Sequence, residues 1–351
     1  MKTLRLNWVD LIFLMWINPL IGLPVCVLTN RIGSLDSGVS LLGILSILVG
    51  AFSYFVSGKF STLLACLFVF WWLSLDRSRL NKLPNLWFAY WLIFVGVIIS
   101  VVSTFKTGER IGVLGNEINF SGYIVFLFWL IALERRWNFW FCVLLVFGCL
   151  VATKSRALLL NFGISVPLYL ARRKPIILVA IIVVVFSLAI YNETIFSRLS
   201  HFDMFKSGGY TTELDRLMKF NDSSYVDRND LNHVWLEILK DRVDVILFGM
   251  DSAEYEMLST SIIGNVPHSD YIDKTVRGGV LYLVVCIVFM FVTVPMWIGV
   301  SILCYAFLLH ATISIPWVIC IAFSLERVNA NSSESSFFMT KQRGFKILGQ
   351  R

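Results

Sequence analysis

Long apolar runs separated by short basic clusters dominate this chain, and they leave few folds open to it. The runs cover residues 9–28, 38–55, 60–75, 86–102, 121–133, 139–152, 157–170, 176–191, 279–297 and 298–325. A bilayer core of about 30 Å needs roughly 20 apolar residues in helical form. Backbone polar groups in hydrocarbon must be satisfied within the segment, which makes each run a helix. Of the 351 residues, 57% are hydrophobic and 15% charged, against about 25% charged in a soluble domain. The expectation is an all-α, polytopic integral membrane protein with about 10–11 transmembrane helices. The last run reads as one span or as a hairpin turning near His310.

Positive charge orients the runs. Arg77, Arg79 and Lys82 form one cluster, Arg135 and Arg136 a second, and Arg172, Arg173 and Lys174 a third. Two runs separate each cluster from the next, so all three can face the cytoplasm together. Residues 103–120, 153–156 and 192–277 then face the opposite side. The basic tail (Lys341, Arg343, Lys346, Arg351) favours the cytoplasm and hence the terminal hairpin. At the N-terminus the rule conflicts with itself. Counting backward puts it outside, whereas Lys2 and Arg5 favour inside; a re-entrant pair broken at Pro19 and Pro24 reconciles the two. The division expected is 1–191 as N-terminal spans, 192–277 as one long external loop, 278–328 as C-terminal spans and 329–351 as a tail.

The net charge of +7 lies largely in clusters beside apolar runs, so nucleic acid is not an expected partner. All seven cysteines lie in or beside apolar runs, without metal-ligand spacing, and read as small hydrophobic side chains.

The most polar stretch runs from Arg228 to Gly279. In it Leu231, Val234, Trp235, Ile238 and Leu239 recur at helical spacing. Asp227 or Asn229 is the expected cap, which sets Arg228 at a helix start near free N–H groups. Phe248-Gly249 reads as a turn, and Gly278-Gly279 as the opening of the next span, where glycine permits an unusual backbone.

Three residues stand out as carriers of chemistry. Arg156 sits at the outer start of a span. A cation at the bilayer centre costs about 2.5–3.5 kcal/mol, and less at the edge. It reads equally as an interface anchor or as an anion ligand, whose planar fork suits phosphate. Arg228 has the same two readings. Arg198, Arg216, Arg242 and Lys154 are weaker cations nearby. His268 is suited to general-base work, with Asp270 or Asp273 to orient it; a lone loop histidine is as readily structural. No metal site or cofactor motif is read.

The order of these features resembles a known family. Ser155-Arg156 at a span edge is followed by Arg228 and Trp235 on a loop helix, then Phe248-Gly249, His268-Ser269-Asp270-Tyr271, and Gly278-Gly279. Together with Gly115–Phe120, this is similar to the bacterial O-antigen polymerase and O-antigen ligase superfamily, over roughly residues 110–320. It departs from the family at Gly249-Met250-Asp251, where a second glycine is common. The resemblance implies a membrane glycosyltransferase of the bacterial inner membrane with its site on the periplasmic face. Transfer would be metal-independent and inverting, with no cofactor. The donor would be an undecaprenyl-diphosphate-linked oligosaccharide, and a chain-length regulator is a candidate partner besides membrane lipids. Arg156 and Arg228 would bind the diphosphate, and His268 would contact or deprotonate the acceptor hydroxyl.

Polymerisation of lipid-linked repeat units is the leading expectation. Ligation of the glycan to lipid A core is the alternative within the superfamily. A polysaccharide flippase is the alternative from another class; the single large loop and the few ionisable residues in the runs weigh against it.

Overall fold

The computed structural model describes residues 37–74, 86–113, 118–135, 139–172, 223–262, 269–306 and 313–325, with Trp16, Asn18, Gly22, Pro24, Lys174, Ile176, Ile177, Ala180 and Pro267. The side chains of residues 37–40, 87, 118, 119, 139, 156, 157, 223–230, 261 and 262 are outside that description. Every described element is helical, and no strand occurs among the described residues.

Six helices come first: α1 (Ser37–Ser57), α2 (Phe60–Leu73), α3 (Trp87–Thr107), α4 (Ile118–Glu134), α5 (Phe139–Thr153) and α6 (Arg156–Leu170). The polar stretch then supplies α7 (Ser223–Lys240), α8 (Val243–Phe248) and α9 (Ser252–Met257), the last running into a wider π turn over Leu258–Ile262. The chain closes with α10 (Asp270–Thr293), α11 (Met296–Ala306) and α12 (Ile315–Leu325).

The apolar runs within the described residues form helices, because their uniform hydrophobicity leaves the backbone no better solution, and the runs at 9–28 and 176–191 lie largely outside the described residues. Two described helical stretches, Phe88–Thr107 and Asp270–Thr293, are long and apolar enough to cross a membrane. Seven further apolar helices are shorter. The surface is greasy in stripes. On α3, Phe88, Trp91, Val95, Ile98, Val102 and Phe105 point outward and exposed. On α10, Leu281, Val284, Val288 and Val292 do the same. An apolar stripe facing away from the core fits hydrocarbon as its surroundings.

At the centre stands α4. Each residue from Ser121 to Leu133 is buried, so the helix is wrapped on all sides. Trp129 donates its indole N–H to Ser165 Oγ of α6 at 3.0 Å. Tyr123 meets Tyr305 of α11 edge to face at 5.3 Å. The six described cysteines are all buried and unbridged, as small apolar residues would be.

The helices share two ends. At the lower end, Trp297 donates to Glu134 Oε2 at 3.0 Å and packs on Tyr169, 5.2 Å between centroids. Arg172 covers the same tyrosine ring at 3.9 Å. Trp72 packs on Phe323 at 4.5 Å, and Trp16 ties Ser324 to Phe128. Ser74, Arg135 and Arg172, each at the edge of a basic cluster, therefore lie at one end. The upper end gathers Gly58-Lys59, the link from α3 to α4, the link from α5 to α6, and α7 to α9.

Several expected boundaries move. The break placed between residues 297 and 298 falls at Val294-Pro295, where proline cannot continue the helix. Residues 298–325 are split between α11 and α12, with residues 307–312, including His310, outside the description. Gly278-Gly279 marks a break within α10: the helix begins eight residues earlier, and Gly279, at φ 80° and ψ 168°, opens its second, apolar stretch with the unusual backbone that glycine permits. The division at 277/278 thus falls beside a kink within one helical element.

The break is filled. The C-terminus of α8 inserts against it, and Met250 N–H donates to Val276 O at 2.7 Å. A kink strands backbone carbonyls inside a helix, and a neighbouring N–H that reaches one removes the penalty. Glycine is required on both sides. Gly249 has φ 89°, and a Cβ there would lie 2.7 Å from Arg277 O. At Gly279 a Cβ would overlap the Leu247 carbonyl.

Candidate functional site

The three residues expected to carry chemistry are met only through their backbones and neighbours. Arg156 is the first residue of α6, behind Ser155, whose Oγ accepts from Leu158 N–H at 3.4 Å. Arg228 lies in the second turn of α7. That helix starts at Ser223, so Asp227 and Asn229 are interior and do not cap it. Arg228 is accordingly not beside the free N–H groups of a helix start, a correction to the sequence reading. The side chains of Arg156 and Arg228, and His268 as a whole, are outside the described residues.

Contacts among their neighbours nonetheless join these positions. Ser269, next to His268, donates its N–H to Asn232 Oδ1 at 3.2 Å, one turn beyond Arg228. Tyr271 O–H donates to Leu303 O of α11 at 2.9 Å. Two residues on, Tyr305 Oη and Ser155 Oγ both stand about 3.5 Å from where a Cβ on Gly122 would be. The path runs α7, α10, α11, α4, α6, and all of it lies at the upper end.

The loop helix packs as its pattern indicates, with one exception. Trp235 and Leu239 are buried, and Leu231 and Ile238 pack partly behind them. Val234 is 45% exposed and leaves the apolar face. Trp235 stacks on Tyr255 of α9, 5.6 Å and 30° apart.

Below that stack is a polar core centred on the first turns of α10. Asp273 accepts from Arg277 Nε at 2.6 Å, from Tyr255 O–H at 3.2 Å and from Lys274 Nζ at 3.4 Å. Arg277 Nη2 also donates to Tyr255 Oη at 2.9 Å. Asp270, fully buried, pairs with Lys274 Nζ at 3.2 Å and accepts the backbone N–H of Ile313, which ties α10 to the start of α12. These pairs are spaced i,i+4, the helical spacing for acid-first ion pairs. Sequence reading offered Asp270 or Asp273 as an orienting partner for His268. Both pair with cations of α10, and His268 itself lies outside the described residues.

Lys59, in the two-residue link between α1 and α2, completes the cluster and was missed in the sequence. It is 8% exposed, its ammonium lies 4.3 Å from the centroid of Tyr255, and no hydrogen-bond acceptor among the described residues reaches it. Arg277 sits over the same ring at 4.8 Å. Lys59, Lys274 and Arg277 stand among Asp270 and Asp273, and Asp251 and Glu254 also act on Lys59. Farther out, Arg242 is spent on Glu254 at 2.9 Å and Asp244 at 3.0 Å, which removes it from the candidate anion ligands. Lys154, at φ 49°, donates to Gly108 O at 3.3 Å. Among the described residues no three of His, Cys, Asp or Glu stand together as metal ligands.

Burial, and then the nearby Arg277, pushes the Lys59 ammonium down to about 8, with Asp273, Asp251 and Glu254 opposing. Tyr255, pushed up to about 12 chiefly by burial, stays neutral in that range. Between about pH 8 and 10.4 the unfolded chain keeps a proton that the folded chain has released, so stability rises with pH. The expected gain is up to roughly 3 kcal/mol. Thermal melting in detergent should show it for the native chain and lose it in Lys59→Met.

None of the family models, curated proteins or solved structures compared with the chain matches it.

Proposed function

We propose that the protein is a polysaccharide polymerase that transfers glycan from an undecaprenyl-diphosphate-linked donor to a lipid-linked acceptor repeat unit. It would act on the periplasmic face of a bacterial inner membrane, with the helices above as its polytopic scaffold. The acceptor hydroxyl oxygen attacks the anomeric carbon as the bond from that carbon to the diphosphate oxygen breaks. The diphosphate leaves with the bonding electrons, and the hydroxyl proton passes to His268. Arg156 and Arg228 bind the departing diphosphate and offset its growing charge.

The observation that carries the reading is the path of contacts at the upper end. Arg156 and His268, 112 positions apart in sequence, would otherwise have no reason to share a site. Asn232 with Ser269, Tyr271 with Leu303, and Tyr305 with Gly122 and Ser155 supply one.

Arg156→Ala, Arg228→Ala and His268→Ala should each lower transfer by about 100-fold or more while the protein still inserts, as loss of a transition-state ligand or base does. Arg156→Lys should recover only part, because a point charge does not replace the bidentate fork. Conversion of lipid-linked oligosaccharide by purified protein in detergent measures this. Normal polymer from His268→Ala removes it from catalysis. In a deletion strain, lipopolysaccharide with a single repeat indicates a polymerase; polymer stranded on carrier lipid indicates the ligase.

A transporter is the second reading, and one observation favours it: α10 is a broken helix that carries the buried Asp270 and its partner Lys274 in the turns before the break at Gly279, and broken helices with ionisable residues are found at transport sites. Turnover in detergent, where no gradient exists, separates the two.

A further inference from the structure

The polar stretch that reads as part of an external loop does not stay at one height. From Arg242, α8 runs down beside α10 to Leu247 and Phe248, and the chain then climbs through Gly249 and Met250 into α9. Two contacts fix the ends of that dip. At its top, Arg242 pairs with Glu254 of α9 at 2.9 Å. At its bottom, the Leu247 carbonyl lies against Gly279; Met250 N–H then meets Val276 O at 2.7 Å, nearer the start of α10.

The neighbours of the dip give its depth. Leu41, Leu45, Leu48, Phe52 and Phe55 form an exposed apolar stripe up α1 at helical spacing. Phe248 meets Phe52 edge to face at 4.9 Å. The stripe continues above that contact to Phe55, 84% exposed, about 4.5 Å higher at the helical rise. Tyr54 and Phe60 pack ring to ring at 6.2 Å near the top of α1, where aromatic side chains collect at a membrane boundary. On α10 the exposed stripe begins at Leu281, directly below the break, and Arg277 stands above it. Leu48, Phe52, Leu247, Phe248, Gly278 and Leu281 line one apolar groove of about 290 Å³ that opens outward. The tip of α8 therefore lies at the level where both of its neighbours already present hydrocarbon-compatible surface.

The backbone of the dip meets the demand that hydrocarbon makes. Gly249 N–H donates to Val245 O at 2.9 Å, Met250 N–H donates to Val276 O, and both residues are buried in protein. Non-helical backbone is tolerated at membrane depth only where protein covers it. Outward, α8 shows Val243 and Leu247, one turn apart on one face. Its charged residues, Arg242 and Asp244, pair with each other at the end away from the tip.

We propose that α8 is a re-entrant foot whose tip, Leu247 and Phe248, is immersed in the bilayer hydrocarbon at the upper end, with a lipid acyl chain in the groove. The occupant is neutral hydrocarbon, and no side chain that lines the groove carries charge. The inference rests on the helices being a membrane bundle and uses none of Arg156, Arg228 or His268. The expected external loop 192–277 is then interrupted by a membrane-immersed segment. Lifting α7 to α9 off the bundle draws that apolar tip into water, so the bilayer itself helps to seat the loop.

Nitroxide labels on single introduced cysteines test it, in the full chain reconstituted in dioleoyl phosphatidylcholine vesicles. Collision with oxygen, which concentrates in hydrocarbon, is compared with collision with a water-soluble nickel chelate. Leu247→Cys and Val243→Cys probe α8, Val284→Cys on α10 is the lipid reference, and Glu237→Cys on α7 is the water reference. The native chain, whose six described cysteines are buried, gives the background. Leu247→Cys should match Val284→Cys, with nickel collisions lost and oxygen collisions raised against Glu237→Cys, and Val243→Cys should fall between. Phe55→Cys, above the tip on α1, should also read as lipid and decides on the same readout should Leu247→Cys fail to fold. Nickel access at Leu247→Cys or Phe55→Cys, with Val284→Cys in lipid, overturns the proposal and leaves the membrane bundle standing. Loss of both collisions at Leu247→Cys means that protein, such as a second copy of the chain, covers the foot, and overturns it too. Nickel access at Val284→Cys overturns the membrane bundle and the proposal with it.

Discussion

Gly279→Val should unfold the upper half of the bundle. The backbone at φ 80° and ψ 168° belongs to a region open essentially to glycine, and forcing another residue there costs about 1–3 kcal/mol. The new side chain would also run into the Leu247 carbonyl and toward Phe248 N. Relief requires α8 to withdraw, which strands Val276 O by removing Met250 N–H and opens the stack of Trp235 on Tyr255. The sum is expected to reach about 4 kcal/mol or more, among the largest single-residue effects. Monodispersity and melting in detergent measure it. Gly163→Ala is the control. A Cβ at Gly163 meets nothing within 4 Å, and alanine in a helix favours stability by up to about 1 kcal/mol. A Gly279→Val protein as stable as the Gly163→Ala protein would show that the close approach of α8 to α10 does not hold the fold.

Asp273→Asn comes next in size. Asparagine keeps the shape and removes the charge that Arg277, Lys274 and Lys59 share. Breaking a buried ion pair from one side costs about 3–5 kcal/mol, because the other charge is left uncompensated. Asp273 is 3% exposed and the Lys274 side chain 12%, whereas Arg277 is 40% exposed, so water offsets part of the loss on that side and the effect falls at the lower end of the range. Arg277→Gln alone should also destabilise. The double variant should lose less than the two single losses together, with a coupling of about 1–3 kcal/mol. Strict additivity would mean that the 2.6 Å contact contributes nothing. A second consequence is electrostatic. Asp273 helps to hold the proton on Lys59, so Asp273→Asn should start the alkaline rise in stability below pH 8.

The helices were legible because uniformly apolar runs carry their own instruction. Each run in the described part became a helix, and boundaries moved by a few residues where polar groups had to be weighed. α10 shows why. Asp270-Tyr271-Ile272-Asp273-Lys274 reads as loop, since charges are costly in a span. In the fold those charges neutralise one another at i,i+4, so the helix starts at Asp270 and the glycine pair becomes a break. Val234 and Leu236 show the opposite limit. Both fit an apolar helix in composition, yet both are exposed, because burial depends on where α9 and α10 lie rather than on α7 itself.

Arg156, Arg228 and His268 were chosen for residue type and order; Arg156 begins α6 as the sequence anticipated, whereas Arg228 falls in the second turn of α7 rather than at its start. Lys59 carried no such signal. A single lysine in a Gly-Lys link is ordinary until α9 folds over it and covers its ammonium with Tyr255.

By itself, then, the sequence determined the all-helical class and the helical segments among the described residues. These follow from local hydrophobicity and charge, which each segment carries alone. Tertiary structure decided the broken helix, the α8 plug at Gly279, the acid–base core around Asp273 and the buried charge on Lys59. Those depend on close approach between segments far apart in the chain, where a missing Cβ or one uncompensated ammonium has meaning only beside its neighbour.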